Sequence, residues 1–408
     1  MNLKDKLRRF AAEKKDFVPD ISHSVDVRDS LGGYEVNNVY GCFHQVERVY
    51  TLDHYHGGHS LGSVLSMDPK TMVFLAKDQS LRDLDLKECL FIDTETTGLA
   101  GGAGTYAFLV GTGHFVKNHF VVRQYLMRDY PEELPLLAAL QDDIAQAKGL
   151  ISFNGKRFDW PLLLDRFTMN RFPRHISDYL HLDLLFPARR LWKDRLPSCS
   201  LSSLEQNILG VHRVGDIPGS EVPQRFFQFL QTGDGELLKD ILEHNVIDIV
   251  SMVSLLMKLA QIGSQPPAGC DCPFEAEGLG RLYQQTGDFS QAILYYQSAL
   301  EHCQDIRLRS RLLTGIASGN KRLRQYKEAE SAWLALTQYE DVRAYEELAK
   351  YYEHHKKDIT AAITMARRGL AISLHRKSPG VLAFQHRLAR LERTLVKHQE
   401  EGSQLGIS

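Results

Sequence analysis

The sequence predicts a two-domain protein, in which an α/β domain with a mixed β-sheet flanked by helices precedes an all-α domain of helical repeats. Short apolar runs alternate with amphipathic segments between residues 72 and 259. A stretch containing proline and glycine at 261–273 then interrupts the periodicity. Beyond it, small and aromatic residues recur at intervals of 33 to 37 residues. The expected parts are an N-terminal extension (1–49), an α/β domain (50–262), a linker (263–273), a repeat domain (274–396) and a tail (397–408).

The elements of the α/β domain follow from hydrophobic spacing. Compact apolar runs predict strands, and the two that follow the glycine-rich segment 98–105 are joined by a tight turn. Apolar residues at helical spacing predict helices, the first of which begins at Pro131 with acidic residues in its first turn. The predicted strands are Thr71–Ala76, Glu88–Asp93, Tyr106–Phe115, Phe120–Met127, Gly149–Phe153 and Leu180–Phe186, and the predicted helices are Pro131–Ala147, Phe158–Met169, Leu201–Leu209 and Glu236–Leu259. In the N-terminal extension, Asp5–Lys15 is patterned as a helix and His44–Asp53 as a strand.

The C-terminal part contains an internal repeat. Its first copy matches the helix-turn-helix pattern of tetratricopeptide repeats, with small residues where paired helices approach and aromatic residues between them. A second copy follows after 37 residues at Tyr326, and a third, more degenerate copy follows after 33 more at Ile359. Val381–Val396 is the expected capping helix, and about three repeats suffice for a stable stack. The residues that carry the first two copies are Leu279, Gly280, Tyr283, Gly287, Asp288, Phe289, Ala292, Tyr296, Ala299, Leu300, Tyr326, Ala329 and Trp333.

Composition places the chain among ordinary globular proteins, because 43% of its residues are hydrophobic and 25% are charged. A chain of 408 residues has room for two or three domains. The net charge of −2 excludes a strongly basic protein. Residues 281–408 nevertheless hold 20 Lys+Arg against 14 Asp+Glu, so this part carries +6 and the remainder −8. A basic surface could contact an anionic polymer, but a solvated helical face explains the charge at least as well.

Cysteine usage and the N-terminus indicate the compartment. The six cysteines are scattered, the charged start lacks the apolar segment of a signal peptide, and no run of about 18 apolar residues exists. We therefore expect a cytoplasmic protein with reduced thiols and no membrane partner. Cys270 and Cys272 lie two residues apart, which metal and redox pairs also show, but a chance arrangement in a linker is the favoured interpretation.

The sequence feature most informative about function is an acidic pair at the end of an apolar run. Asp93 and Glu95 follow Leu90–Ile92, and because side chains alternate along a strand, both acids point to the same side. Two converging carboxylates repel each other unless a cation lies between them, and hard oxygen ligands favour Mg²⁺ or Mn²⁺. Acidic pairs with this spacing are also common on solvated surfaces, so a metal site requires partners elsewhere in the chain.

Two later segments contain such partners. Asp159 lies at the start of a predicted helix directly after a short apolar strand, where the helix dipole would also favour an acid as a cap. His244 and Asp248 are four residues apart within a helix and therefore share one face. Apolar residues surround Asp248, and a buried acid needs a partner, which a metal ion would provide.

Taken in order, these motifs resemble the three exonuclease motifs of the DEDD, ribonuclease-H-like 3′–5′ exonuclease superfamily. The chain is similar to the YprB-like branch of that superfamily, which joins such a domain to tetratricopeptide repeats, over roughly residues 50–395. His244 departs from the usual pattern, because members with a histidine usually have it five residues before the aspartate, and members with a spacing of four usually have tyrosine. A histidine that packs its helix is therefore the alternative interpretation of His244. The resemblance is carried by Asp93 and Glu95, by Asn154 and Asp159 in an Asn-Gly-x-x-Phe-Asp motif, by His244 and Asp248, and by the segments Gly98–Gly111 and Asp216–Gly219.

The resemblance implies a ribonuclease-H-like fold and metal-dependent hydrolysis of phosphodiester bonds in a nucleic acid, DNA or RNA, from a 3′ end. It implies that two divalent ions, Mg²⁺ or Mn²⁺, act together in the reaction and that His244 orients the attacking water or accepts its proton. The repeats are expected to hold a protein partner. The expected metal ligands are Asp93, Glu95, Asp159 and Asp248, and the expected substrate contacts, with turn and surface roles as alternatives, are Thr96, Thr97, Gly98, Asn154 and Lys156.

Two other functions stay open at this point. The chain could be a non-catalytic scaffold whose repeats bind a protein, on an inactive nuclease fold. It could also be a phosphodiesterase that acts on small nucleotides. Loss of function in Asp93→Ala would argue against the scaffold, and comparing the turnover of dinucleotides with that of long oligonucleotides separates the two enzymes.

Several other residues receive structural interpretations. The three histidines His54, His56 and His59 are expected in a polar loop beside the core rather than in a metal site. Phe158 and Trp160 are expected to pack their helix rather than to stack on bases.

Overall fold

The computed structural model describes residues 31–98, 104–172 and 179–405, with side chains through residue 399. The chain divides into two compact units. The first runs to Ala188 and resumes over Ser198–Gln261, and the second takes Arg189–Pro197 and the chain from Ile262 onwards. The helix expected over Asp5–Lys15 lies outside the described residues.

A seven-stranded mixed sheet organises the first unit. Its strands are β1 (Tyr34–Asn38), β2 (Gly41–Thr51), β3 (Cys89–Thr96), β4 (Ala107–Val116), β5 (His119–Leu126), β6 (Gly149–Ser152) and β7 (Leu180–Asp183). The order across the sheet is β1-β2-β5-β4-β3-β6-β7. Neighbouring strands are antiparallel from β1 to β3, whereas β6 runs parallel to both β3 and β7. The mixed sheet and the meander of β3, β4 and β5 are therefore confirmed.

Helices cover both faces of this sheet. Leu90 and Ile92 of β3 share a buried apolar cluster with Leu136 and Leu163, whereas the ring of Phe91 between them packs edge-on against two other phenylalanines, Phe115 and Phe120. The helices are α1 (Pro69–Ala76), α2 (Glu133–Gln146), α3 (Asp159–Met169), α4 (Leu185–Trp192), α5 (Leu201–Leu204), α6 (Val222–Thr232) and α7 (Glu236–Gly263). Leu136 belongs to α2 and Leu163 to α3. Because side chains alternate along a strand, α2 and α3 cover the face to which Leu90 and Ile92 point, and Phe91 points to the opposite face.

Helix α7 is mostly apolar along its 28 residues. It is long and apolar enough to cross a membrane, but 67% of that apolar stretch is buried inside the fold, as in a core helix of a globular protein. The helix packs against the sheet, with Ile249 against Gly113 of β4. Its apolar character is therefore explained by the core that it forms.

Three predicted elements of the first unit differ in the structure. Thr71–Ala76 is part of helix α1 and not a strand, because Asp68 caps the helix and Pro69 occupies its first turn, signals that outweigh the β-branched residues. The strand expected over Leu180–Phe186 ends at Asp183, whose carboxylate accepts the backbone N–H of Leu185 and starts α4. The helix expected over Leu201–Leu209 changes to a π-helical turn after Leu204.

The sheet also begins earlier than the boundary expected at residue 50. Strands β1 and β2 occupy residues 34–51 and pair with the rest of the sheet through β5. The residues before 50 that the structure describes therefore belong largely to the α/β fold rather than to an extension. In the linker region, α7 continues to Gly263 and a short 3₁₀ turn follows at Pro267–Gly269.

The second unit is built from helices. They are α8 (Pro273–Thr286), α9 (Phe289–His302), α10 (Ile306–Arg322), α11 (Tyr326–Thr337), α12 (Val342–Tyr351), α13 (Ile359–His375) and α14 (Val381–Leu405). Consecutive helices pack on one another, and Ala292, Ala299 and Ala329 are buried where they meet. The all-α class is confirmed, and its assignment to tetratricopeptide repeats stays a prediction. Helix α14 continues through Leu405, so the expected tail from residue 397 is largely helical.

Phe226 provides a test of how α6 is attached to the sheet. Its ring is fully buried and stacks on Phe108 of β4, with the ring centroids 4.0 Å apart. Phe226→Ala removes this packing and leaves a cavity, so we expect the free energy of unfolding of the first unit to fall by about 3–5 kcal/mol. Urea denaturation followed by circular dichroism measures the change. The matched control is Phe227→Ala on the same helix, where the ring is 41% exposed and the expected loss is below about 1 kcal/mol. Equal losses in both variants would contradict this packing role.

Candidate active site

The end of β3 presents acids to one helix and a hydroxyl to another. Because side chains alternate along a strand, Asp93 and Glu95 project towards α7 while Thr94 projects to the opposite side. The carboxylate of Asp93 accepts a hydrogen bond from Nδ2 of Asn245 in α7 at 2.9 Å. The hydroxyl of Thr94 donates to Oδ1 of Asp159, the first residue of α3, at 2.5 Å. Strand β3 therefore joins groups from two helices on opposite sides of the sheet.

The contact between Asn245 and Asp93 depends on a glycine in the neighbouring strand. Gly111 of β4 is paired with Asp93, and a Cβ atom at this position would lie 2.1 Å from the amide oxygen of Asn245. That oxygen also accepts a hydrogen bond from Nε2 of Gln124 in β5 at 2.9 Å. The amide of Asn245 is buried and thereby oriented with its NH₂ group towards Asp93.

A tight turn between β6 and α3 positions Asp159. Asp183, at the end of β7, accepts the backbone N–H groups of Asn154 and Lys156 at 2.8 and 3.2 Å. Asn154 reverses the chain with a φ of 66°, in the left-handed region that asparagine tolerates better than most residues. Asp159 then starts α3, where the helix dipole favours its negative charge.

Helix α7 brings His244 and Asp248 to Glu95, with potential ligand atoms of all three within 4.8 Å of one another. His244 Nε2 lies 3.9 Å from Glu95 Oε1 and 3.7 Å from Asp248 Oδ2. On the other side of the ring, Nδ1 lies 2.6 Å from Oδ1 of Asp216. A proton on Nδ1 that donates to Asp216 leaves the lone pair of Nε2 facing the acids.

A guanidinium group lies on the α7 side of the site. Arg213 donates from Nε and Nη2 to the two carboxylate oxygens of Glu205, each at 2.6 Å, and Nη2 also donates to Oδ1 of Asp248. Its Nη1 lies 3.3 Å from Asp216 Oδ2 and 3.1 Å from His244 Nδ1. Asp216 is the acceptor in this arrangement, because an Nδ1 that donates its proton to Asp216 cannot also accept one.

Burial and crowding raise the pKa values of Asp93, Glu95 and Asp159. At Asp93 and Glu95 burial is the largest cause, and the negative charges of Asp248 and Asp159 raise both pKa values further. Burial also raises the pKa of Asp159 to about 6. In the described part of the chain, neither lysine nor arginine forms an ion pair with Asp93, Glu95 or Asp159. This oxygen-rich group of acids, none of which is paired directly with a described lysine or arginine, fits the needs of divalent cations.

The predicted acids and His244 thus share one site. The residues predicted to contact substrate lie near this site but make contacts within the protein. The hydroxyl of Thr96 donates to the carbonyl of Gly98, and that of Thr97 accepts the N–H of Tyr106, so both serve the turn after β3. Lys156 forms an ion pair with Asp78, with its Nζ 3.8 Å from Oδ2 of that carboxylate. The substrate roles of these residues and of Asn154 stay predictions, and residues 99–103 of the glycine-rich segment lie outside the described part.

The expectation that Phe158 packs its helix is wrong. Phe158 directly precedes Asp159. Its side chain is 58% exposed, because the N-terminal end of α3 directs it away from the core. Trp160 does pack, with its ring edge-on to Tyr179 and His181. An exposed aromatic ring therefore lies directly beside the candidate active site.

Motif spacing alone does not single out several residues of this site. The sequence does indicate a role for Asn245, because it places an amide next to His244 in an otherwise apolar helix. A buried amide requires hydrogen-bond partners. Arg213 and Glu205 lie outside the three motifs, and only the folded chain brings them to Asp248. The residues missed in this way are Thr94, Glu205, Arg213 and Asn245, and Asp216 is named only as part of a resembling segment, without a role.

A metal ion bound at these acids should stabilise the folded protein to an extent that depends on pH. The folded-state pKa of Asp159, about 6, exceeds its ordinary value of 3.8, so without metal its contribution to stability is present at low pH and is lost as pH rises through about 6. A cation replaces the proton, so Mn²⁺ should raise the unfolding temperature more at pH 7.5 than at pH 5. Thermal unfolding in Mn²⁺ or EDTA measures this shift.

Two variants sharpen this measurement. Asp159→Asn should reduce the Mn²⁺-dependent shift, whereas Asp165→Asn, which changes an exposed acid on the same helix, should retain it. The absence of any Mn²⁺-dependent shift at pH 7.5 in the wild-type protein would contradict the metal site.

Two comparisons relate this chain to known proteins. Residues 90–260, which include the four acids and His244, match the RNase_H superfamily. The chain is 30% identical over 354 residues to the uncharacterized protein YprB of Bacillus subtilis (strain 168), and the alignment covers 84% of each chain. Membership of the superfamily indicates a nuclease-type hydrolase with a nucleic acid substrate, and such nucleases generally use divalent metal ions. The chain therefore belongs to the family of that Bacillus protein, and its residues 90–260 form an RNase H-like domain.

Proposed function

We propose that the protein is a DEDD-type exonuclease that hydrolyses single-stranded nucleic acid from the 3′ end with two divalent ions, Mg²⁺ or Mn²⁺. The observation that carries the proposal is the meeting of four acids, one buried and three partly buried, from three elements of the fold. Asp93 and Glu95 come from β3, Asp159 from α3 and Asp248 from α7. The order of these motifs, which resembles that of DEDD exonucleases, supports exonucleolytic action at a 3′ end.

The four carboxylates would hold the metal ions. Their oxygen atoms are the hard ligands that Mg²⁺ and Mn²⁺ prefer, and their mutual repulsion would be relieved by the added positive charge. When bound, the ions would stabilise negative charge on the attacking and leaving oxygens of a phosphodiester.

The protein restrains these carboxylates before any substrate binds. In three of them, one oxygen is hydrogen-bonded to a donor from another element, which limits rotation of the carboxylate and leaves the second oxygen for another role. Such outer contacts typically set the orientation of metal ligands. The donors are Asn245 for Asp93, Thr94 for Asp159 and Arg213 for Asp248.

His244 is placed to accept a proton during hydrolysis. Its Nδ1 is held by Asp216, so its Nε2 faces Glu95 and Asp248. Imidazole can take up a proton near neutral pH, which suits a base that receives the proton of the attacking water. We propose this role for His244 although its spacing from Asp248 is the one at which tyrosine is usual in the superfamily.

We further propose that the second unit is a tetratricopeptide-repeat solenoid that holds a protein partner in the cytoplasm. The support is the series of packed helices α8 to α14 and the recurrence of Phe289, Tyr326 and Ile359 as the first residues of α9, α11 and α13. These residues occupy equivalent positions in successive helix pairs, as the repeat spacing requires.

The nuclease assay uses single-stranded DNA and RNA labelled at the 5′ end, with Mn²⁺, Mg²⁺ or EDTA. We expect a metal-dependent ladder that shortens from the 3′ end, and circular strands should resist cleavage because they have no end. Asp93→Asn keeps the shape of the side chain but removes its charge. It should lower the rate by more than about a hundredfold, because losing a metal ligand costs at least as much as losing a group that only hydrogen-bonds one.

The matched control for this assay is Asp165→Asn, which should cleave at the wild-type rate because Asp165 is exposed on α3. Cleavage of circular strands would show an endonuclease. Failure of the wild type to cleave either polymer, with Mn²⁺ bound, would exclude the proposed activity and favour a scaffold or an enzyme for small nucleotides.

The exposed ring of Phe158 predicts a contact with a base of the substrate. Stacking of a base on an aromatic side chain contributes about 1–3 kcal/mol, so Phe158→Ala should raise KM by about 5- to 150-fold, with a smaller change in kcat. Steady-state kinetics on a short oligonucleotide measure the changes in KM and kcat separately. Phe227→Ala removes another exposed ring of the first unit and should leave KM unchanged. An unaltered KM in Phe158→Ala would show that this ring does not contact the substrate.

A further inference from the structure

We propose that Arg213 and Glu205 form a positioning pair that sets the orientation of Asp248 and His244. The proposal rests on the proposed function of the site, and it adds two residues that lie outside the three exonuclease motifs. Arg213 belongs to the segment between the π-helical turn Glu205–Leu209 and helix α6. It contacts Asp248 and Asp216, which lie on either side of His244.

The position of Arg213 is determined mainly by Glu205. The two side chains are 7% and 1% exposed, and the guanidinium donates from two nitrogens to the two carboxylate oxygens of Glu205. Such a bidentate pair has a restricted geometry, and a buried glutamate without it would be left with an uncompensated charge. The guanidinium is therefore anchored from the side away from Asp248.

Glu205 is itself held by two other parts of the first unit. It starts the π-helical turn, a wide backbone form that often occurs at functional sites. It also receives a hydrogen bond from the hydroxyl of Ser251, one turn beyond Asp248 in α7. The same hydroxyl lies 2.7 Å from His56 Nε2, and the hydroxyl of Ser254 donates to the carbonyl of His56 at 2.8 Å. His56 belongs to a short hairpin, in which Tyr55–His56 pairs with His59–Ser60, and this hairpin thus supports the anchor.

From this anchor, one guanidinium acts on both functional side chains. Its Nη2 bonds Oδ1 of Asp248, and Oδ2 of that carboxylate lies 3.7 Å from His244 Nε2. Its Nη1 lies 3.3 Å from Oδ2 of Asp216, whose Oδ1 accepts the proton on His244 Nδ1. The planar fork of arginine can serve Glu205, Asp248 and Asp216 at once, whereas the single ammonium of lysine cannot.

The test compares Arg213→Lys, which keeps the charge but removes the fork, with Glu205→Gln, which keeps the shape but weakens the anchor. Both should lower the affinity for Mn²⁺, measured by calorimetry without substrate, by about 10- to 100-fold, the usual cost of losing a group that hydrogen-bonds a metal ligand. In nuclease assays at saturating Mn²⁺, kcat should fall by a similar factor and KM should stay within about twofold. Arg225→Lys is the matched control, because Arg225 pairs with Asp240 at the surface, and it should match the wild type in all measurements.

Circular dichroism and thermal unfolding in EDTA establish that each variant is folded, and Glu205→Gln carries the test if Arg213→Lys is not. Wild-type affinity for Mn²⁺ and wild-type kcat in the folded variants would overturn the proposal. A gain in Mn²⁺ affinity would also overturn it, because it would show that Arg213 competes with the ion. If the wild type binds Mn²⁺ but cleaves no nucleic acid, the proposed function fails, while the comparison of Mn²⁺ affinities still decides the role of Arg213.

Discussion

The first unit is organised around one electrostatic constraint, the burial of several carboxylates close to one another. Desolvation and like-charge repulsion both raise the pKa values of Asp93, Glu95 and Asp159, so these acids need hydrogen-bond donors or cations to remain charged. The fold provides donors from different elements, among them Asn245 and Thr94. The remaining need for positive charge is the physical reason to infer divalent ions at this site.

This constraint explains features of the fold that apolar packing alone leaves unexplained. Helix α7 is largely a core helix, yet it carries a buried asparagine whose amide reaches Asp93 across Gly111. Asp183 is buried at the end of β7, where it organises the turn that leads to Asp159 by accepting backbone N–H groups. In each case a polar group is buried because it positions an acid and because its own hydrogen bonds are satisfied.

The sequence was a good guide to features that depend on local spacing. Alternation along β3 correctly placed Asp93 and Glu95 on one side, and helical spacing placed His244 and Asp248 on one face of α7. It failed where a local pattern competes with a cap, as at Thr71–Ala76, whose β-branched residues suggest a strand although Asp68 and Pro69 start a helix.

Features that depend on long-range contacts could not be predicted. The exposure of Phe158 depends on the direction in which α3 leaves the sheet. The pairing of Arg213 with Asp248 joins residues 35 positions apart, with helix α6 between them in the chain. The most direct test of the central claim is anomalous X-ray diffraction from crystals soaked in Mn²⁺. We expect two manganese peaks among the carboxylates of Asp93, Glu95, Asp159 and Asp248. Saturating Mn²⁺ that leaves no anomalous peak at these acids would contradict the account.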